Sequence, residues 1–71
     1  MYETLEGQVL QARAVSLHGA IFYDLVLQTP QGLRHLRFQD SFLAPPPLAG
    51  EWLRIELLLG NVTRAERLGS R

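Results

Sequence analysis

The chain is predicted to be all-β, a small five-stranded barrel of Greek-key layout, and three observations predict it. Two turn signals, His18-Gly19 and Thr29-Pro30-Gln31-Gly32, separate three runs that alternate with period two: Glu6–Leu17, Ala20–Gln28 and Leu33–Gln39. Pairing the runs through a two-residue first loop and a four-residue second loop sets Arg13 opposite Asp24, and Asp24 opposite Arg37. The turns alone dictate that register, yet it produces a row of alternating charge. The third observation is a proline-rich break after the third run, followed by one more alternating run and a Gly60-Asn61 reversal. Five short strands broken after the third suit a partly open Greek-key barrel.

The same registers put Leu10, Ala12 and Ala14 beside Leu27, Leu25 and Tyr23, and those beside Arg34, Leu36 and Phe38. One face is then mostly apolar, as a half-buried antiparallel meander requires. Arg34 falls on the core side at the end of the sheet, where its stem packs on leucines and its guanidinium snorkels outward. The crossover Asp40–Gly50 carries Pro45-Pro46-Pro47, which donate nothing to a sheet and favour an extended conformation. Before them, Ser41-Phe42-Leu43-Ala44 is expected to form one helical turn capped by Asp40 or Ser41.

Glu51–Leu59 is the strongest strand, with Leu53, Ile55, Leu57 and Leu59 on one face and Arg54 and Glu56 on the other. A three-residue loop, Leu59-Gly60-Asn61, pairs Glu56 with Arg64, Arg54 with Glu66, Ile55 with Ala65 and Leu57 with Thr63. A two-residue Gly60-Asn61 loop sets Arg54 against Arg67, so opposite charges across strands favour the longer loop. The final strand, Val62–Leu68, ends in Gly69-Ser70-Arg71, which is expected to fray.

Length and composition set further bounds. Seventy-one residues make a single domain, 1–71, with a small and marginal core. There is no cysteine, hence no disulfide and no thiolate metal site. All seven bases are arginine, which excludes a Schiff-base or P-loop lysine. Seven acids balance them, so general attraction to polyanions is missing, though a local basic stripe is not. The start Met1-Tyr2-Glu3-Thr4 lacks the features of a secretory signal, and the apolar runs are too short to span a membrane. A cytoplasmic protein is the expectation.

Several core and turn positions carry a family resemblance: Gly7-x-Val9, Phe22-Tyr23-x-Leu25-x-Leu27, Pro30-x-Gly32, Leu36-x-Phe38, Phe42-Leu43 and Leu48-x-Gly50 before a last hairpin. From Gly7 to Leu68 the chain resembles the OB-fold family, particularly the nucleic-acid-binding barrels of helicase wedge domains and synthetase anticodon-binding domains. It departs from that pattern in a proline loop where a helix is usual and in a short last hairpin. An SH3-like barrel is the alternative fold.

The resemblance implies a ligand face on the second and third strands, bordered by the first. The outer rows there read Gln11–Val26–His35, Arg13–Asp24–Arg37, Val15–Phe22–Gln39 and Val9–Gln28–Leu33. The nucleic-acid-binding candidates are therefore Arg13, Phe22, Val26, His35 and Arg37, with Phe22 stacking a base and the arginines flanking phosphates. Asp24 leaves about one surplus charge in its row. His18, His35, Asp24 and Asp40 form no arrangement for metal binding or acid–base work, and no serine is placed as a nucleophile. No enzyme activity, metal or cofactor is expected. On the outer side of the last hairpin, Trp52, Leu58, Val62 and Leu68 are read as an apolar interface, covered by the crossover or by another chain. Two functions follow: weak binding of single-stranded nucleic acid, or a module that recruits a protein partner or itself as a homodimer.

Overall fold

The computed structural model describes residues 1–69. Its strands are β1 (Tyr2–Leu17), β2 (Ala20–Thr29), β3 (Gly32–Gln39), β4 (Trp52–Leu58) and β5 (Asn61–Gly69), with one short 3₁₀ turn at Asp40–Phe42. All five strands are antiparallel in one sheet of order β3-β2-β1-β4-β5. The sheet is a three-strand meander joined through β1 to a C-terminal hairpin. Among the described residues β3 and β5 do not pair, so the barrel stays open there. Gly69 lies within β5 rather than in a frayed tail, while Ser70 and Arg71 fall outside the described residues.

The meander has the register read from its turns. Arg13 stands opposite Asp24, and Asp24 opposite Arg37; Leu25 pairs Leu36, and Tyr23 pairs Phe38. His18 and Gly19, with φ of 50° and 81°, make the two-residue turn whose twist matches the flanking strands. At the second turn the Thr29 hydroxyl donates to the Gly32 carbonyl at 2.8 Å and accepts from the Gln31 N–H at 3.2 Å. Both capacities of that buried hydroxyl are thereby used.

β1 begins earlier than the expected Glu6, because Tyr2–Gln8 pair with β4. It serves both halves of the sheet, with Gln8 facing Gln28 on one side and Trp52 on the other. The strand bends tightly at this point. A Cβ on Gly7 would lie 2.3 Å from the Gln28 carbonyl oxygen, so only glycine fits. An irregularity between Val9 and Gln11 completes the bend. It corrects the expected register: Val9, not Leu10, sits against Leu27 and is buried, while Leu10 is exposed. The outer row expected as Val9–Gln28–Leu33 is therefore Gln8–Gln28–Leu33.

The core joins Leu5, Val9, Tyr23, Leu25, Leu27, Leu36, Phe38, Leu43, Leu53, Ile55, Leu57 and Ala65. Tyr23 meets Phe38 edge-on at 5.9 Å, and Phe42 extends the stack to Phe38 at 6.2 Å. The crossover thus closes one end of the core with Leu43 instead of covering the outer hairpin face. Its helical turn spans Asp40–Phe42, and no side chain caps it. Arg67 anchors the proline segment, bonding Glu51 at 2.7 Å and the carbonyls of Pro45 and Pro46. Arg34 bridges the open side of the barrel by two hydrogen bonds to Glu3, at 2.9 and 3.3 Å.

In the last hairpin Glu56–Arg64, Arg54–Glu66 and Ile55–Ala65 pair as expected. The turn itself differs. Leu59 and Gly60, with φ of 52° and 83°, form a two-residue loop, and Leu57 pairs Val62 rather than Thr63. An extra residue on β5, Thr63, taken up opposite the step from Glu56 to Leu57, reconciles the short loop with the favourable charge pairs. Its consequence is that Val62 packs against the core.

Candidate functional site

The outer face of the meander carries a shallow groove of about 450 Å³, lined by Gln11, Arg13, Asp24, Leu25, Val26, His35, Leu36 and Arg37. Four of the five expected binding residues line it: Arg13, Val26, His35 and Arg37. Phe22, the fifth, is half-buried one row away, between Val15 and Gln39. Strand alternation brings these side chains to one face. The turns align them across three strands, so the row follows from the sequence alone.

The two arginines are not equivalent. Arg37 holds Asp24 by paired hydrogen bonds, Nε to Oδ1 at 2.6 Å and Nη2 to Oδ2 at 2.9 Å. Arg13 approaches the same carboxylate only to 3.8 Å, beyond hydrogen-bond distance, and its side chain is 70% exposed against 49% for Arg37. The Arg37 guanidinium holds the Asp24 carboxyl below its ordinary range, with a smaller push from Arg13. Asp24 therefore stays ionised and orients Arg37, while Arg13 makes no hydrogen bond to it. With two cations against one anion the row carries one net positive charge.

The hairpin side is balanced in charge. Arg54 bonds Glu6 at 2.7 Å and Glu66 at 2.8 Å across three strands, and Arg64 approaches Glu66 at 3.5 Å, so two acids are balanced by two arginines. Glu6 was not anticipated here, because its contact with Arg54 depends on β1–β4 pairing that no tight turn dictates. Glu3–Arg34 likewise joins strands that no turn connects, whereas Glu51–Arg67 spans the last hairpin and depends on the irregularities that displace its register. Of the expected apolar interface, Leu58 is exposed, and Trp52 and Leu68 line a notch of about 260 Å³ with Glu6 and Pro30. Val62 does not belong to that surface: the irregularity beside Leu57 turns it inward.

Among the described residues no three histidines or carboxylates gather as a metal site. His18 occupies a turn, far in sequence from the exposed His35 on β3. Among the described residues no helix is long and apolar enough to cross a membrane. The chain matches no family model, no curated protein and no solved structure in comparisons with each.

Proposed function

We propose that the protein is a non-enzymatic, OB-like module that binds single-stranded nucleic acid weakly through the outer face of β1, β2 and β3. The observation that carries this reading is the groove whose walls hold Arg13 and Arg37 around a floor that includes Val26. Arginine forks suit phosphate oxygens, an apolar floor suits a base or sugar, and the ring of Phe22 lies one row away for stacking. The strand order, with β1 shared between a meander and a hairpin, fits an OB-like barrel left open between β3 and β5. One surplus charge implies modest affinity and few phosphate contacts.

Fluorescence anisotropy with labelled DNA and RNA oligonucleotides at low salt tests the proposal. Binding is expected to weaken as salt rises, with a log–log slope of roughly −0.7 for each phosphate engaged. Phe22→Ala is expected to cost roughly 1–3 kcal/mol of affinity if a base stacks there. No binding to either polymer at low salt would sink the proposal. A melting-temperature loss for Phe22→Ala with unchanged binding per folded molecule would remove Phe22 from the site. The other reading, protein association through the hairpin, loses support because Val62 faces the core and leaves Trp52, Leu58 and Leu68 less contiguous.

A further inference from the structure

The geometry points to a two-fold dimer formed by antiparallel pairing of β3 with β3 of a second copy. Among the described residues the sheet has two free edges, and they differ. β5 is interrupted twice in its register with β4, and such kinks spoil a template for another strand. β3 runs eight residues in unbroken register with β2 and carries no proline and no lysine. Its two arginines do not blunt it as free charges would. Arg34 is held by Glu3, and Arg37 by Asp24.

The hydrogen-bonding direction along β3 follows from its turn. Thr29 and Gly32 form the closing pair of the Pro30-Gln31 loop, so Gly32, Arg34, Leu36 and Phe38 exchange backbone bonds with β2. Leu33, His35, Arg37 and Gln39 then point their N–H and C=O groups at the open edge. One symmetric register uses all four of them. It sets Leu33 opposite Gln39 of the second copy and His35 opposite Arg37, with the two Leu36 residues facing each other on the two-fold axis. Arg34 then lies opposite Phe38, and no arginine stands directly opposite an arginine. Shifting by two residues toward the C-terminus would place Arg37 against its own copy, and shifting the other way would leave Gln39 unpaired. The edge is self-complementary in one register, which argues for a second copy as the occupant. A chain of 71 residues without disulfides gains most from such an added interface.

Pairing would join two meanders into one six-stranded outer face. The groove of one copy, walled by His35 and Arg37, would abut the same groove of the other. From β1 to β1 of the second copy that strip spans about 24 Å at ordinary strand spacing. This consequence rests on the nucleic-acid reading, whereas the pairing itself does not.

The test uses the full chain with no nucleic acid present. Sedimentation of the wild type from about ten to several hundred micromolar is expected to show a monomer–dimer equilibrium. The chain has no cysteine, so introduced thiols report register cleanly. Leu33→Cys mixed with Gln39→Cys, and separately His35→Cys mixed with Arg37→Cys, are expected to cross-link on oxidation at least tenfold faster than any single variant alone. The paired Cα atoms would lie near 5.5 Å, within reach of a disulfide. All four positions are exposed, and circular dichroism of each variant checks folding. A monomer throughout the concentration range, or equal cross-linking in matched and unmatched samples, would overturn the inference. Anisotropy with oligonucleotides reads the other proposal independently: binding by a strict monomer would keep the function and discard the dimer.

Discussion

Two residues show how much a single backbone position can decide. At Gly7 there is no room for a methyl group, because the Gln28 carbonyl oxygen would sit 2.3 Å from it. Gly7→Ala must push β2 away from the bend in β1, and it is expected to lower stability by about 1–3 kcal/mol in chemical denaturation. An unchanged midpoint would show that the bend is not so tight. Leu59 presents the reverse case. It is 74% exposed and holds φ of 52°, a conformation that costs a leucine roughly 1–2 kcal/mol relative to right-handed backbone. Leu59→Asn is therefore expected to raise the melting temperature without altering the pairing of β4 and β5, which amide exchange would verify. The gain would vanish if Leu59 contacts a partner whose loss matters more than the strain.

Long-range ion pairs supplement the ladders and the core where neither joins two segments. Arg67, on β5, fastens the crossover through Glu51 and the carbonyls of Pro45 and Pro46, and Glu51 in turn accepts the Leu48 N–H at 2.7 Å. The crossover has no ladder of its own, so this cluster substitutes for one. Arg67→Ala is expected to cost about 1.5–3 kcal/mol, the usual range for hydrogen bonds to charged groups. Hydrogen exchange at Leu43 and Leu48 should quicken more than exchange in the meander. Uniform acceleration across the sheet would mean that the crossover and barrel open together. Arg67→Lys is not expected to rescue, since one ammonium cannot reach three acceptors in the same fork geometry.

For the molecule as a whole, acid is the informative stress. Glu3, Asp24 and Glu51 are each held below their ordinary values, chiefly by hydrogen bonds from Arg34, Arg37 and Arg67. In the unfolded chain these carboxyls take up protons near pH 4. Their stabilisation is therefore fully present above that pH and is lost as the pH falls through the lower native values. Thermal unfolding should show a plateau above about pH 5 and a decline below pH 4. Charge neutralisation by Glu3→Gln, Asp24→Asn and Glu51→Gln together should flatten that decline. An unchanged acid limb in the triple variant would place the acid sensitivity elsewhere. Raising salt should reduce the contribution of the more exposed Glu3–Arg34 pair more than that of Glu51–Arg67, whose side chains are only about a quarter exposed.

Short-range signals were enough for much of this architecture. The meander register, the row Arg13–Asp24–Arg37, the core side of Leu25, Leu36, Phe38, Leu53 and Ile55, and the charge pairs of the last hairpin follow from alternation and adjacent turns. Both are local constraints, since a tight turn dictates every pair beyond it until an irregularity intervenes. Where extra residues enter, at Leu10 and beside Val62, that logic flips a face. Alternation alone does not mark such positions, because Val9 and Leu10 are both apolar and either suits the core. Only the tertiary structure decided that Tyr2–Gln8 pair with β4 and that Leu43 plugs the core. It also decided that Glu6, Glu3 and Glu51 find Arg54, Arg34 and Arg67. Those partners are 16 to 48 residues apart in sequence; the first two pairs join strands that no turn connects, and the third spans the last hairpin, where two irregularities displace the register its turn dictates. They meet because a glycine bend lets one strand serve two halves of a sheet whose apolar faces must close on a single core.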